Sequence, residues 1–470
     1  MRTSPTQLPL TSGGKKGQGQ LKFLSPDSAE VSAGPRTGAR VWSRPWGEPW
    51  GAGLIIIFLG TVMRIVASVA AVAVLGWAAY WSLRLGYADR LFHTGMPEGV
   101  KRATELAPCN ARYHARLAAV LDRWGKDQAA SGAALEGAVV CNPRDSGSWI
   151  ELGLQAELDG DFKKAERFLL EAARVDKQYD PRWALANFYF RRNDAGNFWS
   201  WARKAAAMSY GDGAALFRLC WRMTQDPRAI LERAIPDEPA VLARYLSFLL
   251  ADDHVAALEA AAQRAAGHAG PEDLPVLLAS CDRLVEARQF PAALRIWTSL
   301  SRRKLLPYLP PEPERGLSLT NGDFRIPPLS RGFDWRVHAA EGVSVSRRES
   351  QPALRITFSG QQPESCELLS QFVPVLPGRK YQLRFRYRTS EIAPDTGVQW
   401  RIFDAATAAE LAEQSSHLSS EEEIQQEVSF STPTETHMAR LVLLYQRAPG
   451  TTRIEGSISL SHASLVLTPL

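Results

Sequence analysis

The sequence predicts a multidomain chain, α then β: one transmembrane helix, an α-solenoid of helical repeats, and a C-terminal antiparallel β-sandwich of jelly-roll type. Three observations carry this. A membrane-length apolar run covers Leu54 to Trp81 with Arg64 as its only charge. Just beyond it, Leu117, Ala118 and Gly125 recur 35 positions later as Leu152, Gly153 and Gly160, and Pro108 recurs at the same interval as Pro143. A period in this range marks stacked helical hairpins, none of which can bury its apolar face alone. From Leu317 onward the apolar pattern changes from helical to alternating, the signature of half-buried strands.

At 470 residues the chain is too long for one ordinary core, so two or three domains are expected. A net charge of +5 is small for this length and points to no nucleic-acid partner. The five cysteines form no CxxC motif and no His/Cys spacing that would hold zinc, so they read as small buried side chains, and no metal or cofactor is expected. Cys109 and Cys141 end successive repeats, a spacing that permits a disulfide in an oxidising compartment.

Residues 1–53 are rich in Gly, Pro, Ser and basic side chains without periodicity, and are expected to be a disordered extension. Residues 54–83 form the predicted signal-anchor. Taking Ile65–Leu83 as the span gives about 28 Å at 1.5 Å per residue, close to the hydrocarbon thickness. Arg64 then sits at one end, and Trp77, Tyr80 and Trp81 at the far interface, where amphipathic rings are favoured. Arg36, Arg40, Arg44 and Arg64 precede the span with Glu48 as the only nearby acid. The positive-inside rule therefore places the amino terminus in the cytoplasm and the bulk of the chain outside it. Met63-Arg64, directly before the span, also reads as a translation start.

Residues 97–303 read as helices throughout. The best repeat runs from Asn142 to Lys177 with Trp149, Leu152, Gly153, Gly160, Ala165, Leu169 and Ala172. The preceding one carries Tyr113, Leu117, Ala118, Leu121 and Gly125. The next keeps Leu185, Ala186 and Tyr189, with Asn193 in place of the turn glycine. Beyond Gly211 the pattern decays into helix pairs, Pro239–Leu250 with His254–Ala266 and Glu272–Glu286 with Pro291–Arg303. The best repeat resembles the tetratricopeptide family, whose pattern sets small residues where paired helices approach and large ones between repeats. The resemblance implies a protein partner in a groove lined by the first helix of each pair. Carried onto the third repeat, its groove positions are Trp183, Asn187, Phe190 and Arg191, an amide and a guanidinium one turn apart beside aromatic surface, suited to clamping a peptide.

Prolines 307, 310, 311 and 313 mark a stiff linker over 304–316. In 317–470, Tyr381, Leu383, Phe385 and Tyr387 alternate with Gln382, Arg384, Arg386 and Arg388. Val398, Trp400 and Ile402 alternate with Gln399 and Arg401, and Leu441, Leu443 and Tyr445 with Arg440 and Gln446. One apolar face per strand means antiparallel sheets on a shared core, and the length suits eight to ten strands. Asn321-Gly322-Asp323-Phe324, Phe333-Asp334-Trp335 and Pro377-Gly378-Arg379-Lys380-Tyr381 resemble jelly-roll carbohydrate-binding modules of galactose-binding-like fold. Those modules often carry an acid after the first motif, near a structural calcium, where this chain has Arg325. Arg384, Arg386, Arg388, Gln399 and Arg401 are expected to share one face, where guanidinium groups would pair with acidic sugars.

The sequence contains no nucleophile elbow, phosphate-binding loop or HExxH, and its eight histidines are scattered. The expected function is therefore not enzymatic. It is that of a membrane-anchored extracytoplasmic adaptor, binding a protein through its repeats and a glycan through its sandwich, as envelope polysaccharide assembly or export would need. A purely structural scaffold that binds no sugar is the alternative, and a glycan-processing enzyme a weaker one.

Overall fold

The computed structural model describes residues 50–125, 127–348, 351–412 and 416–468. The disordered extension expected over 1–53 thus lies outside the described residues up to position 49. Trp50 opens the first helix, α1, Trp50–His93. Among the described residues, Val62–His93 is the one helical stretch long and apolar enough to cross a membrane, with a mean hydropathy of 2.0 and an apolar window left unburied. The helix runs ten residues past the expected end at Leu83, because the first proline after it is Pro97 and the chain turns only at Gly95, in the left-handed region. Its last turns have a packing reason to persist, since Ala88 and Phe92 are buried against Ala103 and Tyr113.

Stacked helix pairs follow: α2, Pro97–Leu106, then α3, Ala111–Val120, with α4, Gln128–Cys141; α5, Ser146–Leu158, with α6, Phe162–Val175; and α7, Tyr179–Arg191, with α8, Ala195–Met208. After these come α9, Ala214–Met223, with the short α10, Pro227–Arg233; α11, Pro239–Ala251, with α12, Val255–His268; and α13, Leu274–Glu286, with α14, Phe290–Arg302. In four of the pairs the turn is chemically constant even where the sequence pattern fades. Gly160, Asn193, Asp253 and Arg288 all sit at left-handed φ, between 54° and 80°. The next amide in each turn donates five residues back, Asp161 to Ala156, Asp194 to Tyr189, His254 to Leu249 and Gln289 to Leu284, at 2.8–3.0 Å. This is the Schellman closure, which satisfies the carbonyls at a helix end. Asp127, Asp161, Asp194 and Asp226 then cap the second helices of four pairs by accepting backbone amides. Stacking is reinforced by arginines reaching one repeat along: Arg191 to Glu157, Arg218 to Asp252 and Arg283 to Asp253. All five cysteines are free thiols.

Nine strands are described: β1, Arg336–Val337; β2, Val343–Arg348; β3, Gln351–Ser359; β4, Ser365–Pro374; β5, Lys380–Ser390; β6, Val398–Asp404; β7, Ile424–Ser431; β8, Met438–Gln446; and β9, Glu455–Thr468. They form two antiparallel sheets, one of four strands in the order β1-β4-β8-β6 and one of five in the order β2-β3-β9-β5-β7. The core between them holds Trp335, Phe385, Trp400, Tyr445 and Leu460, with the Trp400 ring 5.7–5.9 Å from those of Phe385 and Trp335. Trp400 therefore faces the core, as alternation required. The Asn-Gly-Asp-Phe motif is a structural clasp. Trp335 donates its indole N–H to the Asn321 carbonyl, and the Ala463 amide on β9 donates to the Gly322 carbonyl. A Cβ at Gly322 would lie 2.1 Å from the Ala463 carbonyl oxygen, so only glycine fits there.

The helices and the sandwich share a hydrophobic core. Trp297 on α14 is fully buried, stacked on Tyr308 at 5.9 Å and edge-on to Phe333 at 5.9 Å. Phe290 on α14 meets Phe372 on β4 at 5.7 Å, and Asp282 on α13 accepts from Arg336 on β1 and from the Gly332 amide, both at 2.7 Å. The Pro-rich stretch is packed into the same junction, where the Tyr308 hydroxyl donates to the buried Asp334 at 2.8 Å. The outer face of the four-stranded sheet is thus the one that meets the helices.

Candidate functional site

The outer face of the five-stranded sheet is turned away from that junction, and there the structure gathers unpaired charge. Arg386 and Arg388 project from β5, exposed, and among the described residues neither meets a carboxylate or another hydrogen-bond partner. Strand β9 lies between β5 and β3, and its Ser459 is in register with Arg388 on one side and Arg355 on the other. Arg355 makes one hydrogen bond, to the Ser457 hydroxyl at 3.0 Å. Short serines on the central strand, flanked by long arginines on its neighbours, leave a trough. A register shift between Arg386 and Tyr387 against β9 marks a bulge, and Ser461 and His462, consecutive there, both line the trough. Bulges commonly re-aim side chains at sites in this way.

The trough is a hollow of about 450 Å³ lined by Arg355, Arg386, Arg388, Glu423, Ser459 and His462 among others. A second hollow of about 420 Å³ shares Arg355, Arg388 and Ser459 with it and ends at Glu391 and Glu421. A third, of about 500 Å³, shares His462 and runs beside Leu309, Pro310, Pro311 and Asn321. Glu423 is held by the Ser461 hydroxyl at 2.7 Å, so the acids border the arginines without pairing with them.

The five expected face residues do not come together. Arg384 lies on the same face as Arg386 and Arg388, but its guanidinium contacts Glu427 at 3.4 Å and donates to Gln382 at 2.9 Å. Gln399 and Arg401 are on β6, in the other sheet, and Arg401 forms a two-pronged pair with Glu410 that holds that carboxyl below its ordinary range. The shared face fails because residues 391–397 carry the chain from one sheet to the other. Arg355, Ser459 and His462 are the members that sequence reading missed. Their alternation was visible, but the insertion of β9 between β3 and β5 was not.

In the helical array, the four expected groove residues are engaged with one another and with neighbouring repeats. Trp183 stacks on Tyr179 at 6.0 Å, Asn187 donates to the Trp183 carbonyl at 3.0 Å, and Phe190 packs on Phe198 beneath the Arg222 guanidinium. Arg191 donates two hydrogen bonds to Glu157, at 2.6 and 2.7 Å, so the clamp expected of Asn187 and Arg191 is already closed within the array. Open space lies further along, in a hollow of about 550 Å³ lined by Arg218, Arg244, Ser247, Phe248, Glu272 and Val276. Among the described residues, the Arg244 Nε there is buried without a hydrogen-bond partner.

No protein-family model matches this chain, and no curated protein does. Among solved structures, the β-sandwich is similar to a carbohydrate-binding module named CBM4, at 14% identity and a TM-score of 0.25, over 32% of this chain and 100% of that one. Another is the enzymatically active domain of tailspike protein 4 of bacteriophage CBA120, at 15% identity and a TM-score of 0.25, over 32% of this chain and 21% of that one. A family 16 carbohydrate-binding module matches at 14% identity and a TM-score of 0.19, over 24% of this chain and 75% of that one.

Proposed function

We propose that this protein is a membrane-anchored, non-enzymatic adaptor whose sandwich binds glycan on the outer face of its five-stranded sheet and whose tetratricopeptide-like array docks a protein partner. The observation that carries the reading is the division of the sandwich into two faces. One is consumed by α13 and α14 through Phe372 and Arg336, while the other presents unpaired arginines along a trough. A module fastened by one face and open on the other suits presentation of a polymer to a partner on the array. The partner's place on this reading is the hollow around Arg244, where a buried donor without an acceptor favours an incoming carbonyl or carboxylate. The basic flank before α1 supports an orientation with the amino terminus in the cytoplasm and the bulk of the chain outside, as envelope polysaccharide assembly or export would require.

Two measurements test this. A reporter active only outside the cytoplasm, fused after Leu470, should give signal, and a silent fusion beside an active cytoplasmic reporter would reverse the orientation. The full chain in detergent, screened on a glycan array, should retain at least one glycan class. Retention of none would leave the structural scaffold as the better reading.

A further inference from the structure

The shape and charge of the outer sheet face narrow the ligand. Two of the hollows share Arg355, Arg388 and Ser459, and the third adjoins the first at His462, an elongated arrangement that describes a track rather than a pocket for one sugar. Arg386 and Arg388 are two residues apart on one strand, about 7 Å, and Arg355 stands two strands from Arg388, about 10 Å. Charges spread over that distance match an anion that recurs along a chain better than a single carboxylate. Glu391 and Glu421 stand at one end, Glu423 borders the centre bonded to the Ser461 hydroxyl, and Asp323 beside the third hollow is paired with Arg325, so the unpaired positive charge of the track lies on its arginines and a polyanion is directed over them toward His462. The lining of the central hollow is Arg, Ser, His, Glu, Pro and Ala, which favours ion pairing over stacking on sugar rings.

We infer that this track binds an extended acidic polysaccharide bearing carboxylates along its length, held by Arg355, Arg386 and Arg388 and laid across β3, β9 and β5 toward His462. The inference rests on the glycan reading above and specifies its ligand. Guanidinium forks pair with carboxylates through two parallel hydrogen bonds, which a lysine cannot reproduce.

The test uses the full chain in nonionic detergent. Binding is measured to an oligogalacturonate, to a neutral oligosaccharide of equal length, and to single-stranded DNA of matched charge. The oligogalacturonate should bind, and more weakly as salt rises, because exposed charges are screened within about 10 Å at 0.1 M. The triple variant Arg355→Ala, Arg386→Ala, Arg388→Ala should weaken it at least about tenfold with an unchanged melting temperature, since charge-assisted hydrogen bonds are lost from an exposed face. Lysine at the same three positions should restore only part of the affinity, and Arg401→Ala, on the other sheet, should leave it unchanged. Oligogalacturonate binding that ignores salt and the triple variant would overturn the inference. So would DNA binding of equal strength, which would make the face a general polyanion surface. Retention of the neutral sugar alone would overturn the acidic ligand and leave the glycan reading standing, whereas retention of no sugar would remove both.

Discussion

Trp297 tests whether the helices and the sandwich are one cooperative body. Its side chain is fully buried where α14, Tyr308 and Phe333 meet, and Gly332 approaches so closely that a Cβ there would lie 2.4 Å from the indole ring. Trp297→Ala removes the whole ring from a site with little means of collapsing, at a cost of about 3–5 kcal/mol. The size of the resulting temperature shift depends on how much chain melts together. Unfolding entropy is about 2.1 cal/mol/K per residue, so a body of roughly 370 residues from Pro97 to Thr468 would lose about 4–6 °C. An array of roughly 200 residues melting alone would lose about 7–12 °C while the sandwich stayed where it was. Differential scanning calorimetry of the full chain in detergent, read beside helical circular dichroism, separates the two. A shared core predicts one endotherm that shifts as a whole by the smaller amount. Two wild-type endotherms, of which the substitution moves only one, would refute it.

Two further substitutions probe the packing and the junction. A Cβ at Gly153 would lie 2.7 Å from Leu169 on the paired helix, so Gly153→Leu should cost about 1–3 kcal/mol, and an unmoved melting temperature would contradict the close approach of α5 and α6. Burial pushes the Asp334 carboxyl above its ordinary range, with the Leu329 amide and the Tyr308 hydroxyl offsetting part of the rise. A raised folded pKa contributes stability that is complete below the unfolded value and lost as pH rises through the folded one. Wild type should therefore gain on Asp334→Asn as pH falls from neutrality toward 4, by at most about 1.4 kcal/mol per pH unit. A wild type that loses ground on acidification would mean the hydrogen bonds outweigh burial.

What could be read in advance follows from the range of the interactions involved. The helix pairs and the alternating strands were legible because periodicity is local, and Trp400 was correctly turned inward for that reason. Past residue 211 the residue pattern faded while the turn persisted in the last two pairs. Asp253 and Arg288 hold the left-handed position that Gly160 holds in the best repeat, a backbone requirement that several side chains can meet at modest cost. The arginine trough was only half legible. Arg386 and Arg388 were found because they share a strand, whereas Arg355 and Ser459 join them through the pairing of β9 with β3 and β5, a contact across more than 70 residues of chain. Gln399 and Arg401 were misassigned because alternation fixes the face of a strand but not the sheet it enters.

The outward arginine track is the central claim, and arginine-selective labelling read by mass spectrometry tests it most directly. The full chain is treated with a dicarbonyl reagent with and without saturating oligogalacturonate, and the modification of each arginine is compared. The account predicts protection of Arg355, Arg386 and Arg388, with Arg401 and Arg440, both paired with carboxylates on the other sheet, unchanged by ligand. Equal labelling of the three track arginines in both samples, or protection confined to Arg401 and Arg440, would contradict it.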